Sequence, residues 1–183
     1  ELTQIAGQTM SLLDHLHRAG LMHIGLTADA LLISPSGEVF LDRFGGWKLE
    51  LGESIRALPC ALPNALTPVE VLHPEAFESG AWTDVYGRAA TLFEAAACRP
   101  PNDTAARLSD YDESKIAAPM PVSRKLSRIT GRALTNGLAL LPKDRPGSIN
   151  DWRADWQIPE RQPLAHDCHP DVKSKSQASL GSG

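Results

Sequence analysis

Between helix-like stretches the chain carries a short apolar hairpin, and this insertion limits the possible folds more than any other feature. Ala30-Leu31-Leu32-Ile33 and Glu38-Val39-Phe40-Leu41 are strand-like runs, and Pro35-Ser36-Gly37 between them is a turn signal. Upstream, Leu2, Ile5, Ala6, Met10, Leu13 and Leu16 recur at helical spacing, and Gly20 stands where a helix stop belongs. Downstream, residues 46–73 scatter Gly and Pro with no sustained period, which predicts an irregular segment. Val85, Ala89, Leu92, Phe93 and Ala96 then form one apolar stripe over residues 83–97, and Arg99-Pro100-Pro101 ends that helix. A polar stretch to residue 123 precedes a further helix over residues 124–139. Pro142 and Pro146 break the chain, and Ser148 can cap a last helix reaching Trp156. The expected architecture is mainly α, with one small hairpin near its start.

Composition narrows the function classes. The chain has 183 residues, 42% of them hydrophobic and 22% charged, a balance suited to one packed domain. Its net charge is −4 with no long basic run, which argues against nucleic acid or an anionic membrane as the partner. No stretch approaches the ~20 apolar residues of a membrane span, and the start does not read as a signal peptide. The expected location is the cytoplasm, either as a free protein or as the cytosolic part of a larger one. Glu1 in place of Met suggests a piece of something longer. Cys60, Cys98 and Cys168 are odd in number and widely spaced, so they form no disulfide framework. The domain is expected over residues 1–157, and residues 158–183 read as a polar, small-residue tail, linker or cloning remnant, without structure of its own.

The segment leading into the hairpin carries the most specific signal. His23-Ile24-Gly25-Leu26-Thr27-Ala28-Asp29-Ala30-Leu31-Leu32-Ile33, followed by Arg43-Phe44-Gly45, resembles two linked motifs of Ser/Thr protein kinases. The first is the catalytic loop His-Arg-Asp-Leu-Lys-Pro-Glu-Asn-Ile-Leu-Leu, and the second is the metal-binding Asp-Phe-Gly turn. Further motifs follow in kinase order. His73-Pro74-Glu75 is similar to Ala-Pro-Glu, Thr83-Asp84-Val85-Tyr86-Gly87 to Ser-Asp-Ile-Tyr-Ser, and Lys143-Asp144-Arg145-Pro146 to the Asp-Arg-Pro before the last helix. Together they resemble the large (C-terminal) lobe of a bacterial-type Ser/Thr kinase, in a degenerate, pseudokinase-like form. The small lobe has no counterpart: no glycine-rich loop, no Val-Ala-Ile-Lys-like strand and no helix with its paired Glu.

The resemblance implies roles for particular residues. Glu75 would pair with Arg145 inside the lobe, and Asp84 would accept backbone N–H groups from the loop around His23 and Ile24. His23 and Phe44 would be core anchors. Phosphoryl transfer needs a carboxylate to receive the hydroxyl proton, and an Asn and an Asp to hold magnesium against the phosphates. Gly25 stands at the base position, Ala30 at the Asn position and Arg43 at the metal-binding Asp position. Ile24 replaces the arginine that would order a phosphorylated activation segment, and Thr27 replaces the loop lysine. Asp42, one residue before Arg43, would point to the other side of the strand.

These substitutions predict no catalysis, no cofactor and no binding of ATP or magnesium. The expected role is a scaffolding or regulatory module in signalling, binding a protein or a second copy through the surface a small lobe would cover. The alternative is half of an enzyme whose nucleotide-binding lobe lies upstream or on another chain, transferring a phosphoryl or nucleotidyl group by an altered route. His15 and His17 are two apart on a helix and read as ordinary helix residues rather than metal ligands. His166, Cys168 and His169 are too crowded for a zinc site. Ser54 and Thr67 read as ordinary loop residues, and Trp47, Trp82, Trp152 and Trp156 as packing residues.

Overall fold

The computed structural model describes residues 2–42, 65–111 and 127–157. Arg43, Phe44, Trp47, Ser54, Cys60, His166, Cys168 and His169 lie outside the described residues, as does the expected tail. Among the described residues the chain is mainly helical, with one antiparallel two-stranded hairpin near its start.

Helix α1 spans Leu2–Arg18 and turns Ala6, Met10 and Leu13 fully into the core. Its stop has a specific cause. Gly20 adopts φ 73°, the left-handed conformation that glycine takes without a side-chain clash. The N–H groups of Gly20 and Leu21 then reach back to the carbonyls of His17 and Leu16, satisfying the last turn of the helix.

A 3₁₀ turn over Ala28–Ala30 leads into β1 (Leu31–Ile33), which pairs with β2 (Val39–Leu41). Leu31 faces Leu41, Leu32 faces Phe40 and Ile33 faces Val39. Strand alternation therefore puts Leu32 and Phe40 side by side on the outer face. Helix α1 secures the hairpin through Gln8, which donates to the Gly37 carbonyl at 2.9 Å and accepts from the Val39 N–H at 3.1 Å.

Beyond the hairpin come α2 (Val69–Leu72), α3 (Ala81–Ala97), α4 (Thr104–Ser109), α5 (Arg128–Gly137) and α6 (Ile149–Asp155). Two short helices depart from the expected loops. Val69–Leu72 forms one turn inside the segment read as irregular. Thr104–Ser109 is helical because the Asp103 side chain caps it, accepting from the Ala106 N–H at 3.0 Å. Helix α3 also starts earlier than its apolar stripe suggests, with Thr83 turned back to accept from the Gly80 N–H at 3.0 Å.

Helix α3 is the axis of the domain and packs against α1, α5 and α6. Val85, Tyr86, Ala89, Ala90, Leu92 and Phe93 are all inaccessible or nearly so. On the α6 side, Trp152 and Trp156 meet edge to face with ring centroids 5.5 Å apart, and the Trp152 indole N–H donates to Ala133 O at 2.8 Å. The closest helix approach is at Gly137. A Cβ there would lie 2.7 Å from Ala89 Cβ and 3.0 Å from the Trp152 ring. Gly137→Ala is therefore expected to destabilise the fold by about 1–3 kcal/mol, overpacking outweighing alanine's better helix propensity. Urea denaturation checks this; a variant as stable as the parent would mean that α5 can shift outward freely.

Candidate functional site

The loop before the hairpin is held by one carboxylate. Asp84, buried in the first turn of α3, accepts from the His23 N–H through Oδ2 and from the Ile24 N–H through Oδ1, each at 2.8 Å. Its Oδ2 also meets His17 Nε2 at 2.8 Å. An acid at a helix N-terminus is favoured by the dipole, and amide donors to a carboxylate make strong bonds. His17 is thus a third contact that sequence reasoning missed. Only the turn that brings the end of α1 back over the head of α3 puts it there.

The clasp fixes an unusual backbone. Ile24 has φ 43°, a left-handed conformation that a β-branched residue rarely adopts. Two amide bonds to Asp84 and burial of the Ile24 side chain hold it there. His23 is fully buried and its Nε2 donates to the Asp42 carbonyl at 2.9 Å, linking the loop to the far end of β2. The Asp42 side chain is itself on an exposed residue.

Gly25 follows at φ 105°. A carboxylate introduced at this position would require a residue with a Cβ to hold a glycine-type conformation. Gly25→Asp is accordingly expected to cost about 1–3 kcal/mol of stability, and a carboxylate held in that strained conformation is expected to confer no phosphoryl transfer. Thermal unfolding and a phosphate-transfer assay read the two effects. An active, equally stable variant would contradict the backbone argument. Ala30 is fully buried in the core cluster at the foot of the hairpin, its N–H on Thr27 O and its carbonyl receiving the Asp42 N–H.

A second constellation ties the far side of α3. Arg145 donates to Glu70 Oε1 at 2.6 Å, with both side chains inaccessible. It also donates to the carbonyls of Ala139 and Leu140 at 2.7 Å each, and its guanidinium lies 4.6 Å over the Tyr86 ring. This corrects the expected Glu75–Arg145 pair. Glu75 is 71% exposed and, among the described residues, pairs with the partly exposed His73 at 3.3 Å. The physical reason is local. Glu70 lies in α2 flanked by Val69, Val71 and Leu72, so docking that turn carries its carboxylate inward, whereas Glu75 lies beyond the turn on the surface.

One buried charge stands apart. Arg88 on α3 is fully buried, and its Nε, Nη1 and Nη2 have no hydrogen-bond partner among the described residues. Burial disfavours its charged form and pushes the guanidinium down from its ordinary range to about 9. Sequence reading of the α3 stripe passed over it. Among the described residues no three His, Cys, Asp or Glu side chains gather as a metal-binding group. No helix among them is long and apolar enough to cross a membrane.

The arrangement of these helices and the hairpin as a whole matches solved structures. The chain aligns with the structure described as PpkA-294 apo form at TM-score 0.63 and 26% identity, covering 82% of this chain and 51% of that one. It aligns with the Cydia pomonella Granulovirus kinase, PK-1, at TM-score 0.62 and 14% identity, covering 83% of this chain and 56% of that one. The fold is protein-kinase-like. The chain spans about half the length of these kinases. No family model matches it, and no curated protein does. Within this kinase-like lobe, Asp84, His23 and Arg145 are brought into the packed interior, Gly25 and Ala30 lie on the Asp84-held loop, and Glu75 is not brought into the site.

Proposed function

We propose that this chain is a catalytically inactive kinase-like lobe that serves as a protein-binding, scaffolding or regulatory module. The observation that carries this reading is the pairing of a kept support with missing chemistry. The Asp84 clasp and the Arg145 pair hold the lobe together, while Gly25 offers no proton acceptor and Ala30 no metal ligand. Arg43, where the resemblance calls for an acidic metal ligand, brings a positive charge. A general base and metal ions are what phosphoryl transfer most needs from the protein.

The exposed hairpin supports a binding role. Leu32 and Phe40, paired across the strands on the outer face, are each 52% exposed. Such a patch suits a protein partner or a second copy. Incubating the natural full-length protein with labelled ATP, magnesium and generic protein substrates should give no transfer. Turnover that depends on this chain would overturn the reading. Light scattering across a concentration series tests the homomeric version: self-association should be weakened by Leu32→Ser with Phe40→Ser, and a strict monomer throughout counts against it.

A second reading, half of an enzyme, is favoured by the chain spanning only about half of the kinases it matches. In that reading a nucleotide-binding lobe elsewhere completes the site and the transfer follows an altered route. A glycine-rich loop and a strand lysine in the adjoining natural sequence, with transfer activity of the assembled pair, would favour it.

A further inference from the structure

The buried charges of α3 are arranged in an unusual way. Asp84 and Arg88 lie one turn apart, acid before base, the spacing and order at which helical side chains ordinarily pair. Both are buried. Yet no ion pair within 4 Å joins them, while other acid–base pairs among the described residues do form, such as Arg18–Asp14 at 2.7 Å and Arg145–Glu70 at 2.6 Å. Asp84 is occupied otherwise, by the amides of His23 and Ile24 and by the His17 ring. Among the described residues Arg88 finds no partner for its three interior nitrogens.

We propose that Asp84 and Arg88 are a latent ion pair, giving the carboxylate two alternative sets of partners and the loop around His23 and Ile24 two positions. In the observed state Asp84 holds the loop and Arg88 is unpaired, an arrangement that penalises this state because a buried charge without partners is unfavourable. When the loop lifts, Asp84 is freed, and side-chain rotation within one helical turn brings the guanidinium to it. The released state then loses two amide bonds and gains a charge-assisted pair, which narrows the gap between the two states. Ile24 at φ 43° adds to the tendency to open, since leaving that conformation relieves backbone strain. Because β1 begins at Leu31, directly after this loop, opening would also change how Leu32 and Phe40 are presented. The device stands on the geometry of α3 and is independent of whether the lobe catalyses or only binds.

Native-state amide exchange on the full chain tests it. Removing the guanidinium takes away the partner of the released state, so Arg88→Met should slow exchange of the His23 and Ile24 amides about tenfold relative to amides of α5 and α6, the equivalent of one charge-assisted hydrogen bond. His17→Ala should speed exchange at the same two amides, and Arg88→Met added to it should reverse the gain. Arg88→Gln, which keeps a long side chain but no charge, gives the same comparison if the methionine variant packs poorly. Exchange at His23 and Ile24 that is unchanged or faster in the Arg88 variants, relative to α5 and α6, would overturn the latent pair.

Discussion

Glu70→Ala is expected to destabilise the fold by about 3–5 kcal/mol, because it strands a fully buried guanidinium. For a domain of this size that is a large share of the total stability. Glu75→Ala should change stability by no more than about 0.5 kcal/mol, since its 71% exposed carboxylate makes only a surface contact with His73. The two variants differ by five positions and by the same chemistry, so their comparison isolates burial. Arg145→Met should be at least as damaging as Glu70→Ala. It leaves the Glu70 carboxylate buried and also unpairs the carbonyls of Ala139 and Leu140, which end the segment after α5. Urea midpoints for the three variants check the order. Equal losses from Glu70→Ala and Glu75→Ala would mean that the pair is not the internal tie described above.

Asp84→Ala should cost about 2–6 kcal/mol, the sum of two buried amides left without acceptors at about 1–3 kcal/mol each. Removal of the carboxylate also strands the His17 ring nitrogen, which lies mostly out of solvent. Asp84→Asn should be milder, because the amide oxygen still accepts one N–H while the charge is lost. The loss should be local in its first effect: exchange of the His23 and Ile24 amides should rise before those of α6. If Asp84→Ala is as stable as the parent, the loop is held by something other than this carboxylate.

Much of the fold was legible because local chemistry and tertiary demand agree. Pro35-Ser36-Gly37 between two apolar runs can only turn, and Gly20 can end α1 because its left-handed conformation is free to glycine. Asp84 was legible as a helix-head acid, and the structure gives it two amides to hold. The two misplaced charges share one cause. Glu70 and Glu75 each follow a proline closely, and motif likeness pointed to Glu75, where Pro74-Glu75 matches the last two letters of Ala-Pro-Glu. The better signal was Glu70's apolar surroundings, Val69, Val71 and Leu72, which take a carboxylate inside with them. Arg88 was hidden for the same reason, a charge embedded in the α3 apolar run and carried inward by its neighbours. His17 could not be read at all from its own segment, because its role depends on how α1 crosses the head of α3. The short helix α4 was signalled only by Asp103 and the Ala-Ala-Arg-Leu that follows, too brief to show a period.

The proposed role is that of a kinase-like lobe held together by the Asp84 and Arg145 ties but without groups to handle nucleotide and metal. Calorimetric titration of the natural full-length protein with ATP, in the presence and absence of magnesium, tests that most directly. The expected result is no magnesium-dependent heat of binding. Saturable ATP binding that requires magnesium, and that is lost on substitution within the His23–Asp42 segment, would contradict it.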